Sequence, residues 1–317
     1  MRRIPITWVT HPRHLGKPPV GDLVVVDVAF AAENQWKSKT LPFIEKIGAR
    51  LVKWVDHHEH KEGWAGFVDD PRFLLVPNKR AHACPELITP ALVDESEAAR
   101  GTPTGIVAHC DFDGAVAATK WRCRGQEPYA GADEDARAVD SPGRGHALSD
   151  DGLLISRAMD EVAARDDKVA RLDFMTRIAD ALSFGERDVG LDDEIATLAR
   201  ASALAEEQAA RVADAHGSHE AGDVYVVRLD DAPIDNRMRR NLLLAAETRA
   251  RIGCVYERDK EGVHWVIAAT FDESIDLEDV AGFAGGRSDY RFARASSGGH
   301  DLIASLGAYL AERPRGA

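Results

Sequence analysis

The sequence is poor in cysteine, has no long apolar run and carries no surplus of positive charge. Its four cysteines, Cys84, Cys110, Cys123 and Cys254, show neither CxxC pairing nor regular spacing. That excludes a zinc knuckle or a disulfide framework and fits a reducing compartment. No stretch approaches the roughly 18 uncharged apolar residues of a membrane span, and Met1–Pro5 lacks the sustained apolar region of a signal peptide. A cytoplasmic protein with no membrane partner is expected. The net charge of -13 argues against wrapping long duplex nucleic acid. There is no internal repeat and no low-complexity tract beyond alanine enrichment. At 317 residues and 44% hydrophobic content the chain exceeds the size at which one core usually divides, so two domains are expected.

Two polar clusters interrupt the apolar pattern. Lys53-Trp54-Val55 leads into Asp56-His57-His58, a carboxylate and two imidazoles at the mouth of a buried strand. Ile106-Val107-Ala108 leads into His109-Cys110-Asp111-Phe112-Asp113-Gly114 and then a helix. If the second cluster is extended, alternation sends His109, Asp111 and Asp113 to one side. Hard oxygen donors with some imidazole, held on rigid elements, are what a pair of divalent cations requires, and this donor mix suits manganese first, with magnesium as the substitute. In open α/β sheets ligands bind beyond the carboxyl ends of the strands, where both clusters fall. A third acid, Asp27, ends the β-branched run Leu23–Val26, 29 residues before Asp56 and with a helix expected around 42–48 between them.

Together these motifs resemble the DHH phosphoesterase family, with the DxDG cluster moved to follow DHH instead of preceding it. Asp27 looks like the family's second motif. Ala138-Val139-Asp140-Ser141-Pro142-Gly143 resembles its fourth, with Asp133 and Asp69 as substitutes for Asp140. Chain termini often lie close together, so a strand can change its place in sequence and keep its place in space. The resemblance implies a parallel-sheet DHH-like catalytic domain over 1–185, a helical linker over 186–221 and a smaller α/β DHHA1-like domain over 222–317. Apolar residues at helical spacing run from Leu153 to Leu182 and from Ile195 to Ala215, and strands are expected at 224–229, 254–256 and 265–269.

The second domain holds Gly285-Gly286-Arg287 and then Ala295-Ser296-Ser297-Gly298-Gly299-His300 before an apolar helix. This resembles the glycine-rich substrate loop of DHHA1 domains, with Ser297 in place of a glycine. Glycines permit close backbone approach, and amides at a helix N-terminus accept anions. The basic residues Arg237, Arg239, Arg240, Arg249 and Arg251 suit a solvated helix face equally well.

By resemblance, one ion is held by His109, Asp111 and Asp27 and the other by Asp113, His57, Asp140 and the same Asp27, and a water activated between them attacks phosphorus in line. His58 contacts the phosphate, Asp56 orients the histidine pair, and Arg287, Arg294, Ser297, Gly298, Gly299 and His300 bind the rest of the substrate. Two divalent cations would bring the charge balance to roughly -9. The expected substrate is a short single-stranded oligonucleotide, dinucleotide or phosphonucleotide, cleaved by a phosphodiesterase or exonuclease; a homodimer is compatible. A pyrophosphatase or nucleotide phosphatase, and a catalytically silent nucleotide sensor, are the alternatives. Among the other histidines, His60 stands near enough to DHH to supply a further imidazole.

Overall fold

The computed structural model describes residues 3–140, 148–186, 189–220, 222–229, 233–272, 274–287, 289–296 and 298–313, without the side chains of Glu33, Val189 and Arg287. Ser141, Pro142, Gly143 and Ser297, on which sequence expectations fell, lie outside the described residues, as does the side chain of Arg287. Contacts divide the described chain into two units, separating Ala199 from Arg200.

In the first unit five short apolar runs form an all-parallel sheet. They are β1 (Ile6–Val9), β2 (Leu23–Val26), β3 (Leu51–Asp56), β4 (Phe73–Leu75) and β5 (Gly105–His109), in the order β1-β5-β2-β3-β4. Parallel strands covered on both faces need apolar side chains in succession, and all four residues of β2 are buried. The connecting helices are α1 (Thr40–Ile47), α2 (Lys61–Trp64), α3 (Pro90–Arg100), α4 (Phe112–Arg122), α5 (Ala132–Asp140), α6 (Asp150–Ala163) and α7 (Lys168–Phe184). Phe43, Ile44 and Ile47 of α1 pack with Leu23, Val25, Trp54 and Val107 on one face of the sheet. Ala115 and Val116 of α4, with Phe174 and Ile178 of α7, pack with Val24, Val26, Ile106 and Ala108 on the other. Since β2 hands its chain to one face and β5 to the other, the crevice between their carboxyl ends is the topological switch point of the sheet.

The permuted motif occupies the expected place, because β5 lies beside β2 with Ala108 opposite Val26. Three details differ from the sequence expectations. Ile6–Val9, flanked by Pro5 and Pro12, adds an edge strand beside β5. The helical pattern from Leu153 to Leu182 is two helices, α6 and α7, broken at 164–167 where Asp167 caps α7 through the Ala170 amide. Ala83 to Ile88, which by resemblance to the segment after DHH is expected to be helix, is a single 3-10 turn, Cys84–Leu87, because Ile88 leaves the helical region with ψ 89° ahead of the Thr89 cap of α3.

α8 (Val189–His216) runs across the division between the units. The second unit has a mixed sheet of β6 (Gly217–Glu220), β7 (Val224–Leu229), β8 (Ile252–Arg258), β9 (His264–Ala269), β10 (Gly285–Arg287) and β11 (Tyr290–Arg294), ordered β10-β11-β9-β8-β7-β6. β7 and β8 are parallel and the other pairs antiparallel. α9 (Asn236–Glu247) covers one face through Leu242, Leu243 and Ala246, and α10 (His300–Ala311) the other through Ile303, Leu306 and Leu310. β6 lies inside the segment expected to be linker, and Gly285–Arg287 pairs antiparallel with Tyr290–Phe292, where Gly285 leaves space that the Phe292 ring fills.

Candidate metal and phosphate site

Asp27 follows β2 directly, is fully buried, and has a φ of 57°, a left-handed conformation uncommon outside glycine. Such backbone persists only where the surroundings hold it, here through the Asp27 amide donating to Val55 O at 2.9 Å. The turn swings the carboxylate into the space beyond the ends of β2, β3 and β5. Neither of its buried oxygens has a hydrogen-bond partner.

Asp56 ends β3 and His57 and His58 leave it. Nδ1 of His57 lies 3.1 Å from Ala81 O. A carbonyl can only accept, so that nitrogen carries the proton and Nε2 presents its lone pair to the site. There it stands 3.4 Å from Asp27 Oδ1, 3.2 Å from Asp113 Oδ2 and 3.7 Å from Asp140 Oδ2. A lone pair facing three carboxylates is repelled unless a cation or a proton lies among them. His58 Nδ1 is 2.9 Å from Asp56 Oδ1, so the Asp56 carboxylate fixes the His58 ring.

The His109 to Asp113 segment is not extended throughout, which corrects the alternation argument. The strand stops at His109, Asp111 is the N-cap of α4, accepting from Gly114 N at 3.0 Å, and Asp113 lies in the first turn of the helix. The three side chains still converge, because a helix starting at a strand end turns its first residues back over the sheet edge. Gly114 is required there: a Cβ would come 2.3 Å from the carbonyl oxygen of His109. Every residue of α4 is buried, so Asp113 is carried on a helix enclosed on all sides. Its Oδ2 accepts from the Cys84 amide at 3.2 Å while Oδ1 has no partner.

Asp140, the last residue of α5, reaches the site from a helix C-terminus. Of its two substitutes, Asp133 is engaged by Lys120 at 2.6 Å and Asp69 is exposed. His60 does not join the cluster: its Nδ1 accepts from Gly63 N at 3.0 Å and its ring packs against Phe30 and Trp36.

Three sets of donor atoms result, each within 4.8 Å of one another: Asp27, His57 and His58; Asp27, His109 and Asp111; and His57, Asp113 and Asp140. Asp27 and His57 are each shared by two sets. Burial, then the charges of Asp113 and Asp111, push the Asp27 carboxyl well above its usual range. Burial likewise raises Asp113, against the opposing pull of His57. For His57 burial acts downward, but Asp113, Asp140 and Asp27 outweigh it and raise the imidazole well above its ordinary value. For Asp111 burial acts upward, yet His109 holds it far below. Buried carboxylate oxygens without partners, and an imidazole whose other nitrogen is tied to a carbonyl, fit divalent cations by the chemistry of the donors.

Sequence reasoning did not find Ala81, which acts through its carbonyl, or Arg171, which donates to Cys110 O from α7. A backbone acceptor leaves no residue-type signal.

In the second unit Gly298 and Gly299 have φ of 87° and 60°, and Gly299 is the N-cap of α10. Tyr256 Oη accepts from Gly298 N at 2.8 Å and approaches His264 Nδ1 at 2.7 Å, and Arg228 donates to Gly298 O at 2.6 Å. His300 and Arg294 are exposed, the Arg294 guanidinium 5.5 Å from the Trp265 ring centre. Among the five arginines read as a solvated face, Arg239, Arg249 and Arg251 pair with Glu257, Asp214 and Asp272.

No protein-family model and no curated protein matches the sequence. Similar solved structures include a pGpG-specific phosphodiesterase from Vibrio cholerae, at 12% identity and TM-score 0.47, covering 93% of this chain and 100% of that one. An exopolyphosphatase-related protein from Bacteroides fragilis has 8% identity and TM-score 0.42, over 92% and 71%. Exonuclease RecJ bound to manganese has 15% identity and TM-score 0.39, over 92% and 76%. At these identities and scores the likeness transfers no residue role to this chain.

Proposed function

We propose that the chain is a metal-dependent phosphodiesterase of the DHH type that hydrolyses short single-stranded oligonucleotides or dinucleotides in the cytoplasm. The observation that carries this is the place of Asp27, whose buried oxygens lack hydrogen-bond partners: it belongs to the donor set of His109 and Asp111 and lies 3.4 Å from Nε2 of His57, which belongs to the set with Asp113 and Asp140. His109, Asp111 and Asp27 would hold one cation, and Asp113, His57, Asp140 and Asp27 a second, manganese before magnesium. When bound, the pair would supply Lewis-acid stabilisation of phosphoryl oxygens and acidify a water.

The protein's own groups do the positioning. Ala81 O fixes the tautomer of His57, so that Nε2 is the donor atom at the centre. Asp56 Oδ1 accepts from His58 Nδ1, leaving His58 Nε2 to hydrogen-bond a phosphate oxygen as charge develops there. Asp111 caps α4 with one oxygen and faces His109 with the other, 2.6 Å away, locking the strand-to-helix turn. Substrate contacts are also assigned to the Gly298–His300 turn and Arg294 of the second unit, where the exposed His300 and Arg294 side chains suit anions.

Hydrolysis of a panel tests the proposal: labelled RNA and DNA of two to about ten nucleotides, cyclic dinucleotides, 3'-phosphoadenosine 5'-phosphate and pyrophosphate, each with manganese, magnesium or chelator. Manganese-dependent release of mononucleotides supports it. Activity on pyrophosphate alone makes the protein a pyrophosphatase, and silence on the whole panel with metal bound makes it a nucleotide sensor.

A further inference from the structure

A buried cation lies two turns along α4 from the donors. The Lys120 ammonium donates to Pro85 O at 2.8 Å and to the two oxygens of Asp133 at 2.8 and 2.6 Å. It has three protons to donate, so each has an acceptor. A buried ion pair is a poor stabiliser, since an apolar pair of similar volume often serves as well or better. Stability of the fold is therefore not a sufficient reason for this lysine.

The spacing of the pair supplies another. On α4 Lys120 follows Asp113 by seven residues, and on α5 Asp140 follows Asp133 by seven. Seven residues are two turns, about 10.5 Å along the axis, and bring the side chain back to nearly the same face of its helix. Lys120 and Asp133 thus join α4 and α5 at one level. Two turns away Asp113 and Asp140 converge at the other, where their Oδ2 atoms lie 3.2 and 3.7 Å from His57 Nε2. The residue order reverses between the levels, so the two helices run antiparallel. The remaining acceptor, Pro85 O, belongs to the turn Cys84–Leu87, whose first residue donates its amide to Asp113 Oδ2 at 3.2 Å. One ammonium touches every element that bears on the meeting of Asp113 with Asp140.

That meeting needs support. Two carboxylates brought to one imidazole repel each other before a cation arrives, and the low dielectric of a buried site strengthens the repulsion. Asp140 is the last residue of its helix, and the Lys120 tie acts on the same helix two turns back.

We propose that Lys120 is a positioning residue for the His57, Asp113 and Asp140 donor set: by holding Asp133 and Pro85 O it keeps α5 at the distance from α4 at which Asp113 and Asp140 can share a divalent cation with His57. This rests on the two-cation reading of the site. It also separates the two sets, because neither α5 nor the Cys84–Leu87 turn carries His109, Asp111 or Asp27.

The test uses Lys120→Met/Asp133→Leu, in which apolar side chains replace the pair and no charge is left buried alone. Manganese binding to the chelator-stripped full chain is measured by titration calorimetry, and amide hydrogen exchange of the metal-free protein is followed over 132–140. The wild type takes up two ions. In the variant one keeps its affinity and the other weakens by about 10- to 100-fold, the usual effect of losing a group that orients a metal ligand. Exchange over 132–140 quickens while that of β2 and β5 stays as it was. A pair that only stabilises the fold would not set the two ions apart, so equal weakening of both, or two wild-type affinities, overturns the proposal. If the double variant does not fold, Asp133→Asn, which keeps the shape and gives up the charge, is judged by the same criteria. A wild type that binds fewer than two ions removes the two-cation reading instead, and the exchange arm then decides: faster exchange over 132–140 in the variant keeps Lys120 as the residue that holds α5, and unaltered exchange removes it.

Discussion

Replacing Asp27 by Asn should stabilise the metal-free protein and abolish its activity. The carboxylate is fully buried, neither oxygen is hydrogen-bonded, and the nearest charges include Asp113 and Asp111. Burying a charge without a partner costs more than burying a neutral polar group, and removing an excess of about 1 to 3 kcal/mol from a unit of this size corresponds to a rise in melting temperature of roughly 3 to 10 °C. Asn keeps the shape and tolerates the left-handed backbone at φ 57°, so the substitution changes charge alone. The sign depends on pH. The folded-state value of Asp27 is raised, so its favourable contribution is full below the ordinary carboxylate range and is lost as pH rises through the raised value. The advantage of Asp27→Asn should therefore be larger near about pH 8 than near about pH 5. Manganese should reverse the order, raising the melting temperature of the wild type far more than that of the variant. Thermal unfolding with chelator and with manganese at the two pH values measures all of this. An Asp27→Asn protein that is less stable than the wild type at both pH values without metal, or that gains as much from manganese, would refute the reasoning.

Three further substitutions separate the parts of the site. Gly114→Ala drives a Cβ against the His109 carbonyl, a backbone atom that cannot swing aside, and should cost about 1 to 3 kcal/mol in denaturant unfolding as well as manganese affinity. Asp56→Asn should lower kcat at unchanged manganese stoichiometry, because it loosens His58 and leaves the donors of the other two sets in place; loss of bound metal would contradict that assignment. Tyr256→Phe removes the acceptor of Gly298 N and should raise KM for oligonucleotides with little change in kcat, since the donors of the first unit are untouched. An equal fall in kcat would place the Gly298–His300 turn elsewhere in the reaction.

Much of the site could be read from the chain because polar residues closing apolar runs are conspicuous. Asp27, His57 and His109 stand at the ends of strands that are otherwise buried, and parallel pairing puts such ends on one side of a sheet. Side-chain alternation was a poorer guide. It failed between His109 and Asp113 because the Asp111 cap starts a helix within that span, and convergence survived through helix geometry instead. Residues acting through their backbone, such as Ala81, are invisible to residue type. β1 escaped notice because four residues between prolines form a strand only when a neighbour, here β5, supplies the partners. The two turns of helix end around 164–167 are set by the Asp167 cap, which the apolar spacing on either side does not register.

The central claim is that Asp27 joins two cation sites into one centre. The most direct measurement is diffraction from crystals grown with manganese, recorded at the manganese absorption edge to locate the ions by anomalous scattering. Two peaks, one among His109, Asp111 and Asp27 and the other among His57, Asp113, Asp140 and Asp27, are the predicted result. A single ion, or ions that leave Asp27 without a metal contact, would contradict it.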